Sequence, residues 1–98
     1  HITAMGSDTL TKQELATSIL TEGDLVVADS KFQCEVRGEI HQALKSNDFS
    51  MDNVVELGEI ISGKTTGRTS DSQITIADLT GVAVQDIQIS KAVLKYLL

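Results

Sequence analysis

The chain has 98 residues, enough for one small domain, with 41% apolar and 22% charged residues, the ordinary balance of a soluble globular chain. A net charge of −6, with no basic patch interleaved with aromatics, argues against nucleic acid as a partner, because that affinity comes largely from clustered Lys and Arg. The longest apolar run, Leu25-Val26-Val27-Ala28, is far too short to span a bilayer, so no membrane association is expected.

Cys34 is the single cysteine, which excludes an intrachain disulfide and fits a reducing, cytoplasmic compartment. Only three aromatics are present (Phe32, Phe49, Tyr96), so Val, Ile, Leu and Ala must build the core. That diet suits a buried parallel sheet with helices across its faces. The sequence opens at His1 directly into strand-like residues and shows no signal or transit segment, which reads as a piece of something longer.

In chain order, Ile2 to Met5 reads as a strand, Gly6 as a turn, and Thr11-Lys12-Gln13-Glu14 as a capping box opening a helix near Lys12. That helix should bury Leu15, Ile19 and Leu20 and stop at Gly23. Asp24 to Asp29 is a short apolar run closed by acids, read as a buried strand. Ser30 caps a helix running to about Leu44, with Cys34, Ile40 and Leu44 inward. Ser50 or Asp52 caps a third helix through Val54, Val55, Leu57, Ile60 and Ile61 to Gly63. Lys64 to Ser72 is a polar loop, Gln73 to Ala77 a strand, Asp78 to Gly81 a turn, and Val82 to Leu97 a closing helix. The order strand, helix, strand, helix, helix, strand, helix implies crossover connections. The fold class is therefore α/β, a partial Rossmann-like parallel sheet flanked by helices.

Ligands of such sheets bind outside the carboxyl ends of the strands, where the Gly6–Thr11 loop lies. Asp8 stands in that loop without a structural task, since Thr11 and Glu14 already supply the helix cap. Lys12, in the expected first helical turn, opposes the dipole preference for acids and hints at an anionic ligand. The Asp78 to Gly81 turn opens onto the same edge. Gly58-Glu59-Ile60-Ile61-Ser62-Gly63-Lys64-Thr65 fits the P-loop pattern but lacks the preceding strand and following helix, so a helix C-cap explains its glycine better. His1, His41 and Cys34 have no metal-ligand spacing, and no metal is expected. Lys64 and Arg68 read as solvated loop charges.

Together these markers resemble the ornithine cyclodeaminase and mu-crystallin family over nearly the whole chain. The resemblance rests on Gly6-Ser7-Asp8 with Lys12-Gln13-Glu14-Leu15, on Val26-Val27-Ala28-Asp29, and on Gly38-Glu39. It continues through Glu56-Leu57-Gly58-Glu59-Ile60, Gly63, Gly67-Arg68, and Ile74-Thr75 leading into Asp78-Leu79-Thr80-Gly81-Val82-Ala83-Val84-Gln85-Asp86.

The resemblance implies that residues 1–98 are the carboxyl-terminal half of an NAD(P)-binding Rossmann-like domain. The half carrying the G-x-G-x-x-G fingerprint and the substrate and dimerisation domain would lie outside it. It implies NAD or NADP as cofactor, a small amino or imino acid as substrate, and a homodimeric parent. Asp8 matches the catalytic acid of the ornithine-cyclising members. Thr3, Ala4, Met5 and Gly6 match a segment whose backbone runs beside the cofactor, Lys12 a cofactor-contacting lysine, Leu79 a position near the nicotinamide that is often serine, and Thr80 a substrate-side position.

The chemistry implied is hydride transfer at the α-carbon. One form reduces a cyclic ketimine such as Δ1-pyrroline-2-carboxylate, and the other converts ornithine to proline with loss of ammonia. Leu10-Thr11 stands where the ornithine enzymes have Pro-Gly, and the Asp78–Gly81 turn leans towards imine reductases. Alone, the piece is expected to be catalytically silent and to self-associate through an exposed sheet edge. The alternative from another class is a stand-alone, non-catalytic α/β binding or assembly module.

Overall fold

Short runs of valine, isoleucine and alanine carry the sheet. In a computed structural model, which describes residues 1–7 and 9–97, the elements are β1 (Ile2–Ala4), α1 (Thr17–Glu22), β2 (Leu25–Ala28), α2 (Lys31–Cys34), α3 (Glu39–Leu44), β3 (Val54–Glu56), α4 (Leu57–Ile61), β4 (Thr75–Asp78) and α5 (Ala83–Leu97). The four strands form one sheet in the order β1-β4-β2-β3. All three neighbouring pairs are parallel, with β4 and β2 in the middle. The expected α/β class with a parallel sheet and flanking helices is what the chain forms.

Alternation along each strand splits the sheet into two faces. Ala4, Val26, Ala28, Val54 and Ile76 turn to one side, where Leu20 of α1, Cys34 of α2, and Ile40 and Ala43 of α3 complete the core with Phe49. Leu15, Ile19 and Leu44 pack against its margin, Leu15 from the segment ahead of α1 rather than from a helix. Burying each large apolar side chain there contributes roughly 1.5–3 kcal/mol. The opposite face carries Thr3, Val27, Ala77 and Leu79 and is only partly roofed, by α4 and the loop after it.

Three local expectations are corrected. The first helix begins at Thr17, not near Lys12: its N-cap is Ala16, with no side-chain cap bond, and the Thr11–Glu14 capping box does not form. The expected helix from Ser30 to Leu44 breaks into α2 and α3 at Gly38, whose φ of 91° lies where a β-carbon is disfavoured. Its Ser30 cap does form, with the Gln33 amide donating to the Ser30 hydroxyl at 3.3 Å. Finally, Val54, Val55 and Glu56 are the strand β3, following a 3-10 turn at Met51–Asn53. Two adjacent β-branched residues sit better on a pleated surface than in a helix, and Val26 and Val27 of β2 lie beside them in register.

A strand, β3, does precede the P-loop pattern, contrary to expectation, but no helix starts at Lys64 and the pattern has no P-loop structure. Its first glycine, Gly58, lies within α4, and Gly63 at φ 81° ends that helix just before Lys64. No helix among the described residues is long and apolar enough to cross a membrane.

Candidate functional site

Parallel pairing brings the carboxyl ends of all four strands to one edge. Ala4, Asp78, Ala28 and Glu56 form a single row across the sheet, so the chain segments leaving the strands emerge side by side. The Leu79 amide donates to the Ala4 carbonyl at 2.9 Å, which fixes the turn after β4 against the end of β1.

Three acidic side chains organise this edge. Asp29, just past β2, shapes the turn after β4: its Oδ1 accepts from the Thr80 hydroxyl at 3.1 Å and its Oδ2 from the Gly81 amide at 2.9 Å. Asp78, at the end of β4, is 1% exposed, and its Oδ2 accepts from the Ile40 amide at 2.9 Å. Its Oδ1 has no hydrogen-bond partner among the described residues. Burial raises the Asp78 carboxyl to about 6, with the nearby Glu39 and Asp29 charges adding to the rise and the Ile40 amide opposing it. Glu39, also 1% exposed, reaches into the segment between β1 and α1. Its Oε1 accepts from the Ser7 hydroxyl at 2.6 Å and from the Glu14 amide at 2.6 Å, and its Oε2 from the Leu15 amide at 3.1 Å.

Asp8, the expected catalytic acid, lies outside the described residues. Its freedom from a structural task no longer follows from the helix cap, because Glu14 caps no helix: the Glu14 carboxylate accepts from the Gly6 amide at 2.6 Å. Lys12 stands in the connecting segment, exposed and ahead of α1, so the helix-dipole reasoning does not apply to it.

Thr3 and Leu79, although 76 positions apart in sequence, line one cavity of about 390 Å³ on the open sheet face, together with Val27, Ala77 and Arg68. Ala4 is buried on the core side, while Met5 is 72% exposed beyond the strand end. Thr80 turns the other way. It is buried, its hydroxyl donates to Asp29 and accepts from the Gln33 side chain at 2.7 Å, and it is thereby engaged with α2 rather than with the cavity.

Sequence reasoning missed the roles of Glu39, Asp29 and Arg68. Arg68 is not merely a solvated charge: its guanidinium donates to the Thr75 hydroxyl and the Asp71 carbonyl, each at 3.0 Å, tying the loop after α4 to β4. A signal for Glu39 was present, since an acid directly after a glycine, amid the inward positions Cys34 and Ile40, needs partners if buried. The partners themselves lie 24 to 32 positions away and cannot be read from local spacing.

The nicotinamide end of a dinucleotide fits what the chain offers. Leu79, Ala77 and Val27 give an apolar wall, and Thr3 borders it. A pyrophosphate cradle is not part of this sequence, which has no G-x-G-x-x-G. No group of three or more His, Cys, Asp or Glu among the described residues could hold a metal ion.

Known proteins agree with this geometry. Over 91 residues the chain is 48% identical to the uncharacterized cyclodeaminase y4tK of Sinorhizobium fredii, covering 92% of this chain and 28% of that one. A structure of an archaeal alanine dehydrogenase dimer with bound NAD superposes with a TM-score of 0.85 at 40% identity, over 93% of this chain and 28% of that one. The iminosuccinate reductase of Paracoccus denitrificans, in complex with NAD+, gives 0.86 at 37% identity, over 97% and 29%. The chain thus spans a little over a quarter of the length of the proteins it matches. Residues 1–97 match the pattern of one family from end to end, and the chain belongs to the ornithine cyclodeaminase/mu-crystallin family.

Proposed function

We propose that residues 1–98 form the carboxyl-terminal half of the NAD(P)-binding domain of an enzyme that transfers hydride at the α-carbon of a small amino or imino acid. The observation that carries this reading is the convergence of Thr3 and Leu79 on one apolar cavity of the open sheet face. Solved relatives of the same fold hold NAD, and their names describe an alanine dehydrogenase and an iminosuccinate reductase. The glycine fingerprint and the substrate and dimerisation domain belong, on this reading, to the rest of a homodimeric parent.

When bound, the nicotinamide supplies or accepts the hydride. The chain's own residues set the conditions around it. Leu79, Ala77 and Val27 exclude water from one side of the ring, which protects a reactive C=N bond from hydrolysis. Thr3 to Gly6 would border the cofactor, and Lys12 would bring a positive charge towards its anionic part. Asp8 handles the proton at the substrate nitrogen, or moves a proton from the attacking amine to the departing ammonia when a second amine closes a ring. Thr80, through Asp29 and Gln33, holds the turn that carries Leu79. We favour ketimine reduction or its reverse, amino-acid dehydrogenation, over ornithine cyclisation, on the strength of the Leu10-Thr11 pair and of the two NAD-bound solved relatives.

The test is turnover by the full-length parent with NADH or NADPH and a panel holding Δ1-pyrroline-2-carboxylate, pyruvate with ammonia, and ornithine. The wild type should consume cofactor with one of these. Asp8→Asn should lower kcat roughly 10²- to 10⁴-fold while NADH still binds. Full activity in that variant would remove Asp8 from the mechanism.

A further inference from the structure

Residues 5–7 and 9–16 belong to no helix or strand, yet one buried carboxylate ties them down. Ser7 and Glu14-Leu15, at the two ends of the segment that bears Asp8 and Lys12, are bound by the same Glu39 side chain through three hydrogen bonds of 2.6 to 3.1 Å. Two further bonds complete the clamp: the Gly6 amide donates to Glu14 at 2.6 Å, and Gln42, one turn on from Glu39, donates to the Leu10 carbonyl at 2.9 Å. Hydrogen bonds to an ionised acceptor are stronger than neutral ones, and a carboxylate 1% exposed is tolerable only with several donors.

The start of α3 is itself fixed from the other side. The Ile40 amide donates to Asp78, and a β-carbon on Gly38 would lie 2.6 Å from the Thr80 methyl and 2.9 Å from an Asp78 oxygen. One helix start therefore sets the segment after β1 against the turn after β4, the two places where the proton-handling acid and the nicotinamide-side Leu79 are carried.

We propose that Glu39 is the positioning residue of this site: by gripping Ser7 and Glu14-Leu15 from the first turn of α3, it fixes the two ends of the segment after β1 against the turn after β4. The proposal rests on the reading of Asp8 given above. Misplacing a reacting group by an ångström costs roughly 10²-fold in rate, so the grip acts on the chemical step rather than on cofactor affinity.

The experiment is a double-mutant cycle in the full-length parent, with NADH and the substrate found in the turnover assay. Glu39→Gln keeps the shape but loses the charge and one acceptor. It should lower kcat roughly 10- to 100-fold, leave NADH binding by fluorescence titration unchanged, and shift the pH profile of kcat/KM. In an Asp8→Asn background the same substitution should cost nothing further in kcat. An equal loss in both backgrounds, or a loss confined to NADH affinity, would overturn the proposal by making Glu39 a general structural residue. Ser7→Ala, which deletes one of the three bonds, should show the same pattern in milder form, and it carries the cycle if Glu39→Gln does not fold. The two readings fail separately. A fully active Asp8→Asn removes the acid whatever Glu39 does, whereas an impaired Asp8→Asn beside a fully active Glu39→Gln removes only the clamp.

Discussion

The Cys34 thiol has 0% exposure and sits beneath the carboxyl edge of the sheet, within reach of Asp29 and the Asp78 carbonyl. Desolvation first, and the Asp78 charge second, push it up to about 12. A thiol needs its thiolate to react, so Cys34 is an inert core residue, as its isolation in the sequence indicates. Iodoacetamide should leave it unlabelled in the native full-length protein near neutral pH and label it only in denaturant. Ready labelling of the native protein would show that the edge opens.

Asp78 gives the sharper titration. Its folded-state value of about 6 lies above the ordinary 3.8, so the native state holds the proton more tightly than the unfolded chain. That contribution is fully present below pH ~4, declines as pH rises, and is gone above pH ~6, where the buried carboxylate stands ionised with one oxygen unpartnered among the described residues. Asp78→Asn should therefore flatten this part of the stability profile. Asn still accepts from the Ile40 amide without carrying a buried charge. It should stabilise the full-length protein above pH ~6 by up to about 3 kcal/mol, since each tenfold change in proton affinity is worth roughly 1.4 kcal/mol. Urea denaturation across pH would read this, and a loss of stability at neutral pH in the variant would contradict it.

At the level of elements, the sequence was most legible where pattern and packing agree. The β2 run, the β4 alternation, the Ser30 cap and the long closing helix all fall where periodicity and capping chemistry place them. It was least legible where distant partners decide. Val54-Val55-Glu56 continues smoothly into the helical spacing of Leu57, Ile60 and Ile61, and only pairing with β2 makes it a strand. The Thr11–Glu14 box is a sound local signal overridden by Glu39, which takes the Glu14 and Leu15 amides from another element.

Gly38 belongs at this scale, because it lets α3 start against the β4 turn. Gly38→Ala places a methyl group against Thr80 and Asp78 at a positive φ. It should cost about 2–4 kcal/mol, read as a lower denaturation midpoint with an unchanged slope. A neutral substitution would mean that the α3 start has room to shift, and the coupling of the two loops through it would fall.

For the whole molecule, what lies uncovered is as informative as what is packed. The sheet face bearing Thr3, Val27, Ala77 and Leu79 is open, and α5 exposes Val84, Ile87, Val93 and Leu94 with no buried residue of its own. These surfaces fit a chain that accounts for 28% of a related enzyme's length. These 98 residues hold no G-x-G-x-x-G to receive a pyrophosphate, and the cofactor and substrate classes came from the family resemblance. Asp8 is the instructive case. Its lack of a structural task no longer follows once the capping box is gone, and its assignment now stands on the family pattern and on the segment that carries it.

Hydride transfer at the α-carbon is tested most directly by isotope tracing. The full-length enzyme is given reduced cofactor deuterated on the transferring face of the nicotinamide, together with the ketimine or keto acid plus ammonia that it turns over. Transfer to the α-carbon predicts one deuterium there in the amino-acid product and none in the oxidised cofactor. Product formed with the label retained in the cofactor, or with deuterium at any other carbon, would contradict it.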